Sequence, residues 1–231
     1  MSNIMDMFRL EGKTVVVTGG GGALGGTIAE MLAPLGTKIA VIDLYQEKAA
    51  EKAKAINDAG GVSQAFGCDV TDEEQVKECY KSICDTWHTI PDCLINAAGG
   101  NDPRGSTDNE FFDPGDLDAP DIKSFFDLEL AGVRQVLDLN FLGTFITTRV
   151  FSRGMAEQQN GSIVNISSLS AFTPLTKVGI YSAAKAAVSN FTRWLAVHFS
   201  HAGVRVNALA PGFFMTEQLR FLHVDQETGE L

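Results

Sequence analysis

A run of glycines between an apolar strand and a helix constrains the fold of this chain more than any other segment. A strand is predicted over residues 13–18 (KTVVVT), and TGGGGALGG leads from it into a helix predicted over residues 23–35. A second predicted strand, KIAVID over residues 38–43, ends on Asp43. This order of elements is typical of a βαβ unit that binds a dinucleotide. No Gly-Lys-Ser/Thr follows the glycines, which excludes a P-loop.

Strand-like and helix-like segments alternate along the rest of the chain, which predicts a parallel sheet with helices on both faces. The further strands are predicted over residues 64–69, 93–96, 162–167 and 205–209. The further helices are predicted over residues 47–58, 72–87 and 131–158 and around Tyr181. A chain of 231 residues suits one α/β domain. We therefore expect a single Rossmann-like, doubly wound domain over residues 1–231.

Composition and charge exclude several classes of protein. The chain has no apolar run approaching the roughly 18 residues of a membrane helix, and its opening, MSNIMDMFRLEGK, lacks the features of an export signal. The net charge of −11 argues against nucleic acid or an anionic membrane as a partner. Four cysteines without C-x-x-C spacing indicate reduced cytoplasmic thiols, and no metal site is predicted. They are Cys68, Cys79, Cys84 and Cys93.

Asp43 indicates which dinucleotide the glycine turn would accept. An acid at the end of the second strand can accept hydrogen bonds from the ribose hydroxyls and would repel a 2′-phosphate. Leu44 and Tyr45 follow it, so no arginine stands beside it to hold that phosphate. The sequence therefore favours NAD over NADP. The alternative interpretation is that Asp43 caps the next helix.

Ser168, Tyr181 and Lys185 form a second pattern with chemical meaning. Tyr181 and Lys185 are four residues apart in an alanine-rich predicted helix, so they share one face. A nearby ammonium would lower the pKa of a phenol from its ordinary value of about 10, which would let Tyr181 exchange a proton with a substrate oxygen. Ser168 ends the predicted strand SIVNISS, where its hydroxyl can be held toward a substrate. The alternative is an ordinary amphipathic helix.

Residues 100–126, rich in Asp, Pro and Gly, carry no predicted helix or strand. An irregular segment of this length inside a compact domain is usually either functional or disordered. It contains Arg104, and Lys177 lies between Ser168 and Tyr181, so both could bind the carboxylate of a substrate. The alternative for each is a solvated surface charge.

Taken together, the motifs resemble the short-chain dehydrogenase/reductase family over essentially the whole chain. They are TGGGGALG, Asp69 in CDV, NAAG at residues 96–99, Asn140 in LNFLG, Ser168, Tyr181 with Lys185, and Pro211-Gly212. One departure is Ala23, which stands where the family usually has the middle glycine of TGxxxGxG. A methyl group there should be tolerated with a small shift of the turn.

The resemblance implies a role for each matching residue. The implied catalytic residues are Asn140, Ser168, Tyr181 and Lys185. The implied cofactor-binding residues are Gly19, Gly22, Leu24, Gly25, Asp43, Asp69, Val70, Asn96, Ala97, Gly99, Tyr181, Lys185, Pro211, Gly212 and Thr216. The implied reaction is hydride transfer between the nicotinamide and a substrate carbon. Tyr181 would move the proton, Ser168 would hold the substrate oxygen, and Asn140 would keep a water that connects Lys185 to solvent.

Longer stretches, among them AGGNDPRGSTDNEFF and FFDLELAGVRQVLDLNFLGT, resemble the D-mannonate oxidoreductase (fructuronate reductase) branch of that family. The implied substrate pair is D-mannonate and D-fructuronate. Another sugar-acid or polyol dehydrogenase, such as one for gluconate, and a non-catalytic dinucleotide-binding protein remain as alternatives. The family usually forms homotetramers, so we expect a tetramer or dimer. It also usually continues through a further helix and strand, so we expect the C-terminal part to be truncated and the final strand to be absent.

Overall fold

The computed structural model describes residues 10–213, and its centre is one parallel sheet of six strands. The strands are β1 (Thr14–Thr18), β2 (Lys38–Asp43), β3 (Val62–Gly67), β4 (Cys93–Asn96), β5 (Gly161–Ile166) and β6 (Val204–Leu209). Their spatial order is β3-β2-β1-β4-β5-β6, so the direction of winding reverses between β1 and β4. In sheets of this kind a ligand binds at the carboxyl ends of the strands where that reversal occurs.

Helices cover both faces of the sheet. They are α1 (Ala23–Leu32), α2 (Gln46–Asp58), α3 (Glu73–Trp87), α4 (Leu130–Leu137), α5 (Gly143–Glu157) and α6 (Gly179–His198). Val15 and Val17 of β1 pack in one core cluster with residues of α1 and α2, whereas Val16 packs in another with residues of α3, α5 and α6. Since successive side chains of a strand point to opposite faces, the fully buried β1 must be apolar throughout its centre.

The predicted fold class is confirmed, with small differences at the ends of elements. The helix predicted over residues 23–35 ends at Leu32, and a 3₁₀ turn, Ala33–Leu35, follows it. Pro34 lies in that turn and has no N–H to continue the α-helical bonds. The third strand was predicted over residues 64–69, but β3 begins and ends two residues earlier. Within residues 10–213, no helix is long and apolar enough to span a membrane.

The single helix predicted over residues 131–158 is wrong in its interior. A π-helical segment, Asp138–Leu142, separates α4 from α5. The side chain of Asn140 in this segment donates to the carbonyl oxygen of Val136 at 2.8 Å. In a regular α-helix, the carbonyl oxygen of Val136 would accept from the backbone N–H of Asn140, four residues later. Here it accepts from the Asn140 side chain. The widened turn carries Asn140 into the interior, where it is fully buried.

The segment 100–129 contains three 3₁₀ turns and is anchored to the rest of the protein. The turns are Pro103–Gly105, Pro114–Asp118 and Phe125–Asp127. Its backbone approaches α4 so closely that a Cβ on Gly132 would lie 2.7 Å from the nitrogen of Gly105. The N–H of Thr107 also donates to the carbonyl oxygen of Lys177 at 3.0 Å. The segment is therefore irregular, as predicted, and it is bonded to the loop that precedes Tyr181.

Candidate active site

The residues with catalytic potential meet at the carboxyl end of β5. Ser168 follows β5, α6 carries Tyr181 and Lys185, and the π-helical segment brings in Asn140. A Cβ on Gly99, which follows β4, would lie 2.7 Å from Oδ1 of Asn140 and 3.1 Å from Nζ of Lys185. Side chains predicted from separate parts of the sequence therefore face one small volume beside the reversal point of the sheet.

Lys185 is buried with its ammonium turned toward the end of β5. Its Nζ donates to the carbonyl oxygen of Ile166 at 2.9 Å and lies 5.6 Å from the centre of the Tyr181 ring. Burial disfavours the charged form and lowers the pKa of Lys185 to about 8. The amine therefore changes its charge close to physiological pH.

The prediction that the pKa of Tyr181 falls below its ordinary value is wrong for this arrangement. Burial raises the pKa of Tyr181, and the hydrogen bond with Ser168 acts in the opposite direction without cancelling that rise. The physical reason is that desolvation penalises the phenolate as it penalises the ammonium. Tyr181 is accordingly a protonated phenol at neutral pH.

Serine hydroxyls connect β5 to α6. Oγ of Ser167 donates to the backbone carbonyl of Lys185 at 3.1 Å and lies 2.6 Å from Oγ of Ser189. Oγ of Ser168 accepts from the N–H of Ser170 at 3.2 Å and from its hydroxyl at 2.9 Å. Ser167, Ser170 and Ser189 were missed in the sequence, where the repeated serines of SSLS are the one visible signal.

Asn140 is held by the backbone of the loop after β4. Its Nδ2 donates to the carbonyl oxygen of Gly100 at 2.7 Å, and its Oδ1 accepts from the N–H of Gly100 at 3.2 Å. The side chain thus joins the π-helical segment to the loop that contains Gly99. It lies beside Lys185, as expected, although its amide is bonded within the protein.

The glycine turn has the geometry of an anion site. Gly19 has φ +62°, and a Cβ there would lie 2.8 Å from Cα of Ala98; a Cβ on Gly25 would lie 2.4 Å from the carbonyl oxygen of Gly19. Gly22 precedes α1, whose first turn has no side-chain cap, so backbone N–H groups are available to a phosphate. Ala23 is exposed at the helix start and Leu24 is half-buried. The methyl group of Ala23, where the family usually has a glycine, is therefore accommodated without crowding.

Asp43 and Asp69 lie at the ends of neighbouring strands. The carboxylate of Asp43 accepts from the N–H groups of Gly21 and Tyr45, each at 3.1 Å, which orients it beside the glycine turn. Asp69 accepts from the N–H of Thr71 at 2.9 Å and from its hydroxyl at 2.7 Å. Val70, next to it, is buried, and its side chain lies where a Cβ on Gly143 would fall.

Asn96 does not turn its side chain toward the cleft. Its Nδ2 donates to Thr148 and to Asn165, each at 2.9 Å, and its Oδ1 accepts from Thr147 at 2.7 Å. Buried hydroxyl and amide groups satisfy the Asn96 amide inside the core, so the part of this residue left to border a cofactor is its backbone.

The backbone that follows Asn96 is held from the other side, by β1. Oγ1 of Thr18, a residue that the sequence reading missed, accepts from the N–H groups of Ala97 and Ala98. The loop that leads to Gly99 is thus bonded to the end of β1.

Of the remaining predicted residues, Pro211 and Gly212 follow β6, and Arg104 lies in the 3₁₀ turn Pro103–Gly105. The carbonyl oxygen of Pro211 accepts from the N–H of Leu169 at 2.8 Å, and Gly212 follows it. Thr216 lies outside the described residues. Arg104 is half-exposed, and its guanidinium donates twice to Asp102, at 3.0 Å and 2.6 Å, which lowers the pKa of that carboxyl to about 2.

The geometry agrees with the comparison of the sequence with known families. The model of the family described as short chain dehydrogenase matches residues 13–227. The chain belongs to the short-chain dehydrogenase family. An uncharacterized oxidoreductase of Haemophilus influenzae is 45% identical over 227 residues, which cover 97% of this chain and 78% of that protein. The uncharacterized oxidoreductase UxuB of Bacillus subtilis is 42% identical over 219 residues, which cover 95% and 77%.

Solved structures of other proteins share the fold. A Haemophilus influenzae protein to which D-mannonate oxidoreductase activity is ascribed was solved with bound NAD. It is 45% identical, has a TM-score of 0.90, and the match covers 99% of this chain and 80% of that one. An NAD⁺-bound xylitol dehydrogenase is 26% identical with a TM-score of 0.81, and the match covers 96% and 78%.

The close approach of Gly99 to Asn140 and Lys185 predicts that Gly99→Ala impairs turnover. The new Cβ would lie 2.7 Å from Oδ1 of Asn140 and 3.1 Å from Nζ of Lys185, so at least one of these two side chains must move. Small displacements of this kind are costly, and we expect turnover of an accepted alcohol to fall at least about tenfold. Gly100→Ala is the matched control, because its Cβ would make an ordinary contact of 3.6 Å with Leu139. Equal turnover of the two variants at equal thermal stability would contradict the prediction.

The lowered pKa of Lys185 predicts a pH dependence of stability. Between pH 8 and 10.5, the folded-state value and the ordinary value, the unfolded chain binds more protons than the folded protein. The free energy of unfolding of the wild type should therefore rise with pH relative to Lys185→Met, by on the order of 2 kcal/mol. Urea denaturation at pH 7 and pH 10 measures this difference. The exposed Lys54→Met should follow the wild type; parallel curves for Lys185→Met would refute the burial of a titrating amine.

Proposed function

We propose that this chain is an NAD-dependent oxidoreductase that interconverts a hydroxyl and a ketone on a sugar acid, and that the substrate pair is D-mannonate and D-fructuronate. The observation that carries the reaction is the meeting of Ser168, Tyr181 and Lys185 beside the reversal point of the sheet. Support for the substrate comes from the 45% identical protein to which D-mannonate oxidoreductase activity is ascribed.

The residues around the glycine turn fit NAD. The N-terminal N–H groups of α1, with Gly19, Gly22, Leu24 and Gly25 around them, would bind the pyrophosphate. The Asp43 carboxylate, already oriented by two backbone N–H groups, would accept from the adenosine ribose and disfavour a 2′-phosphate.

The adenine and nicotinamide ends of NAD would meet other parts of the cleft. Asp69 and Val70 would border the adenine, and the backbone from Ala97 to Gly99 would lie along the dinucleotide. Pro211, Gly212 and Thr216 would border the nicotinamide. For Thr216 this proposal rests on the family resemblance.

NAD supplies the hydride acceptor or donor when it is bound; the protein holds the substrate and moves the proton. In reduction, the protonated phenol of Tyr181 would donate its proton to the ketone oxygen while Ser168 donates a hydrogen bond to the same oxygen. In oxidation, the phenolate of Tyr181 would accept the proton of the substrate hydroxyl. Because burial raises the pKa of Tyr181, oxidation should be favoured at higher pH than reduction.

Lys185 and Asn140 would serve this proton transfer. The ammonium of Lys185, 5.6 Å from the Tyr181 ring centre, would favour the phenolate whenever it is charged and would donate to the nicotinamide ribose. Asn140 fixes the loop that contains Gly99, and the water that it is proposed to keep would return protons from Lys185 to solvent.

The carboxylate of a sugar acid would bind at the wall formed by residues 100–129 and the loop before Tyr181. Of the two predicted cations, Arg104 already donates through Nε and Nη2 to the two carboxylate oxygens of Asp102. The ion pairs formed among residues 10–213 include none with Lys177, whose backbone is fixed by Thr107. Lys177 is therefore better placed to receive the substrate carboxylate, and Arg104 would bind it by exchanging Asp102.

A polyol is the second candidate substrate, supported by the shared fold of the NAD⁺-bound xylitol dehydrogenase. A polyol has no carboxylate and would not need Lys177. A dinucleotide-binding protein without catalysis has less support, because such a protein has no use for a buried phenol beside an ammonium.

We also propose that the enzyme works as a homo-oligomer in the cytoplasm. An aromatic row on α6, in which Trp194 stacks on both Phe191 and His198, continues to the strongly exposed Val197. An apolar face of this kind suits contact with a second copy of the chain. Four free cysteine thiols are consistent with a reducing compartment.

Tyr181→Phe tests the proposed reaction. The variant should lose nearly all turnover, at least about 10³-fold, because the phenol that is proposed to move the proton is removed. It should still bind NADH, since the glycine turn and Asp43 are untouched. Absorbance of NADH would be followed with D-fructuronate, D-mannonate, gluconate and xylitol, and NADH affinity by fluorescence. Tyr80→Phe, in which a tyrosine packed on Phe151 is changed, is the control. Normal turnover by Tyr181→Phe would refute the assignment.

Lys177→Ala and Arg104→Ala test how the carboxylate is bound. We expect the KM for the sugar acid to rise about tenfold in Lys177→Ala, because a charge-assisted bond is lost. A smaller rise is expected in Arg104→Ala, where Asp102 already neutralises the guanidinium. The control is Lys81→Ala, which removes a positive charge from an exposed position on α3 and should leave the KM unchanged. If the Michaelis constants of all three variants match the wild type, neither cation binds the carboxylate.

A further inference from the structure

Ser170 lies in the 3₁₀ turn Leu169–Ala171, and Ser168 is the residue that precedes this turn. Ser170 is 2% exposed, and its Oγ donates to Oγ of Ser168 at 2.9 Å. The backbone N–H of the same residue donates to the same oxygen at 3.2 Å. Both groups therefore converge on one atom of the residue that would hold the substrate oxygen.

A serine hydroxyl has one proton to donate and two lone pairs that accept. When Ser170 fills both lone pairs of Ser168, the remaining capacity of Ser168 is its own O–H. That proton can then point away from the turn, toward the cleft and Tyr181. Without the Ser170 hydroxyl, one lone pair is free, and Ser168 could accept a hydrogen bond from Tyr181 instead of donating one.

We propose that Ser170 is a positioning residue that fixes Ser168 as a hydrogen-bond donor toward the substrate oxygen and Tyr181. This inference rests on the proposed role of Ser168 and Tyr181 and extends it by one residue. Burial of the Ser170 hydroxyl supports this role. A buried hydroxyl that loses its protein partner cannot bond to water instead, so breaking the bond to Ser168 is costly. Ser170 acts through Ser168 and would not touch the substrate.

The first measurement separates turnover from binding. In Ser170→Ala the backbone N–H bond to Ser168 remains and the hydroxyl bond is lost. We expect kcat for ketone reduction to fall about tenfold, which corresponds to about 1.4 kcal/mol, with the KM for NADH within about twofold of the wild type. Ser170→Thr keeps a hydroxyl and should recover most of the turnover. Ser152→Ala, another buried serine, on α5, should behave as the wild type.

The second measurement needs no substrate. The chain has three tyrosines, and subtracting the ultraviolet titration of Tyr181→Phe isolates Tyr181. A Ser168 hydroxyl that is no longer held as a donor stabilises the phenolate less, so the pKa of Tyr181 should rise in Ser170→Ala by about half a unit or more. The pH profile of kcat for alcohol oxidation should move in the same direction.

The outcomes separate this proposal from the proposed function. An unchanged Tyr181 titration in Ser170→Ala overturns the positioning role, even if activity falls, because that result describes a merely structural serine. Unchanged activity and titration together overturn it as well. If no sugar acid or polyol is turned over, the proposed function fails and the titration still decides the role of Ser170. If Ser170→Ala does not fold, Ser170→Cys, with a weaker donor of similar size, should show a smaller rise, and no rise refutes the proposal.

Discussion

The buried ammonium of Lys185 is the constraint around which the carboxyl end of the sheet is arranged. A charge removed from water is tolerated only with a good partner, and here the partner is the carbonyl oxygen of Ile166. The ammonium also needs space, which Gly99 provides by having no side chain. The Lys185 side chain thereby links helix α6 to the end of strand β5 and lies beside the loop after β4.

Bonds between side chains and backbone hold the other parts of the site. The Asn140 side chain bonds to both the N–H and the carbonyl oxygen of Gly100. The Ser167 hydroxyl donates to the carbonyl oxygen of Lys185, and the Thr18 hydroxyl accepts from the N–H of Ala97. Such bonds depend on the short polar residues Asn, Ser and Thr, because long side chains lose more conformational entropy when they are fixed. The cleft is therefore preorganised before any ligand enters, which is what electrostatic catalysis requires.

Much of the fold could be predicted from the sequence because it depends on local patterns. The glycine turn after β1 and the alternation of apolar strands with helices predicted the sheet and its helices. The π-helical segment could not be predicted, since Asn140 is held by Gly100, forty residues earlier in the chain. The inward turn of Asn96 depends likewise on Thr148 and Asn165, which are distant in sequence.

The site was predicted less completely than the fold. The proximity of Ser168, Tyr181 and Lys185 followed from helical spacing and family resemblance. The pKa of Tyr181 did not, because burial, which the spacing does not reveal, acts on both Tyr181 and Lys185. The pairing of Arg104 with Asp102 was visible in principle, since the two residues are close in sequence and of opposite charge.

Main-chain hydrogen bonds join the segment 100–129 to the loop before Tyr181 and to α4. The N–H of Thr107 donates to the carbonyl oxygen of Lys177, and the N–H of Val133 in α4 donates to the carbonyl oxygen of Glu129. Attachments made by main-chain atoms survive most changes of side chain. Substitutions can therefore change the side chains of this proposed substrate wall one at a time, while Ser168, Tyr181 and Lys185 keep their positions. The same scaffold could thus acquire a new substrate without rebuilding its chemistry.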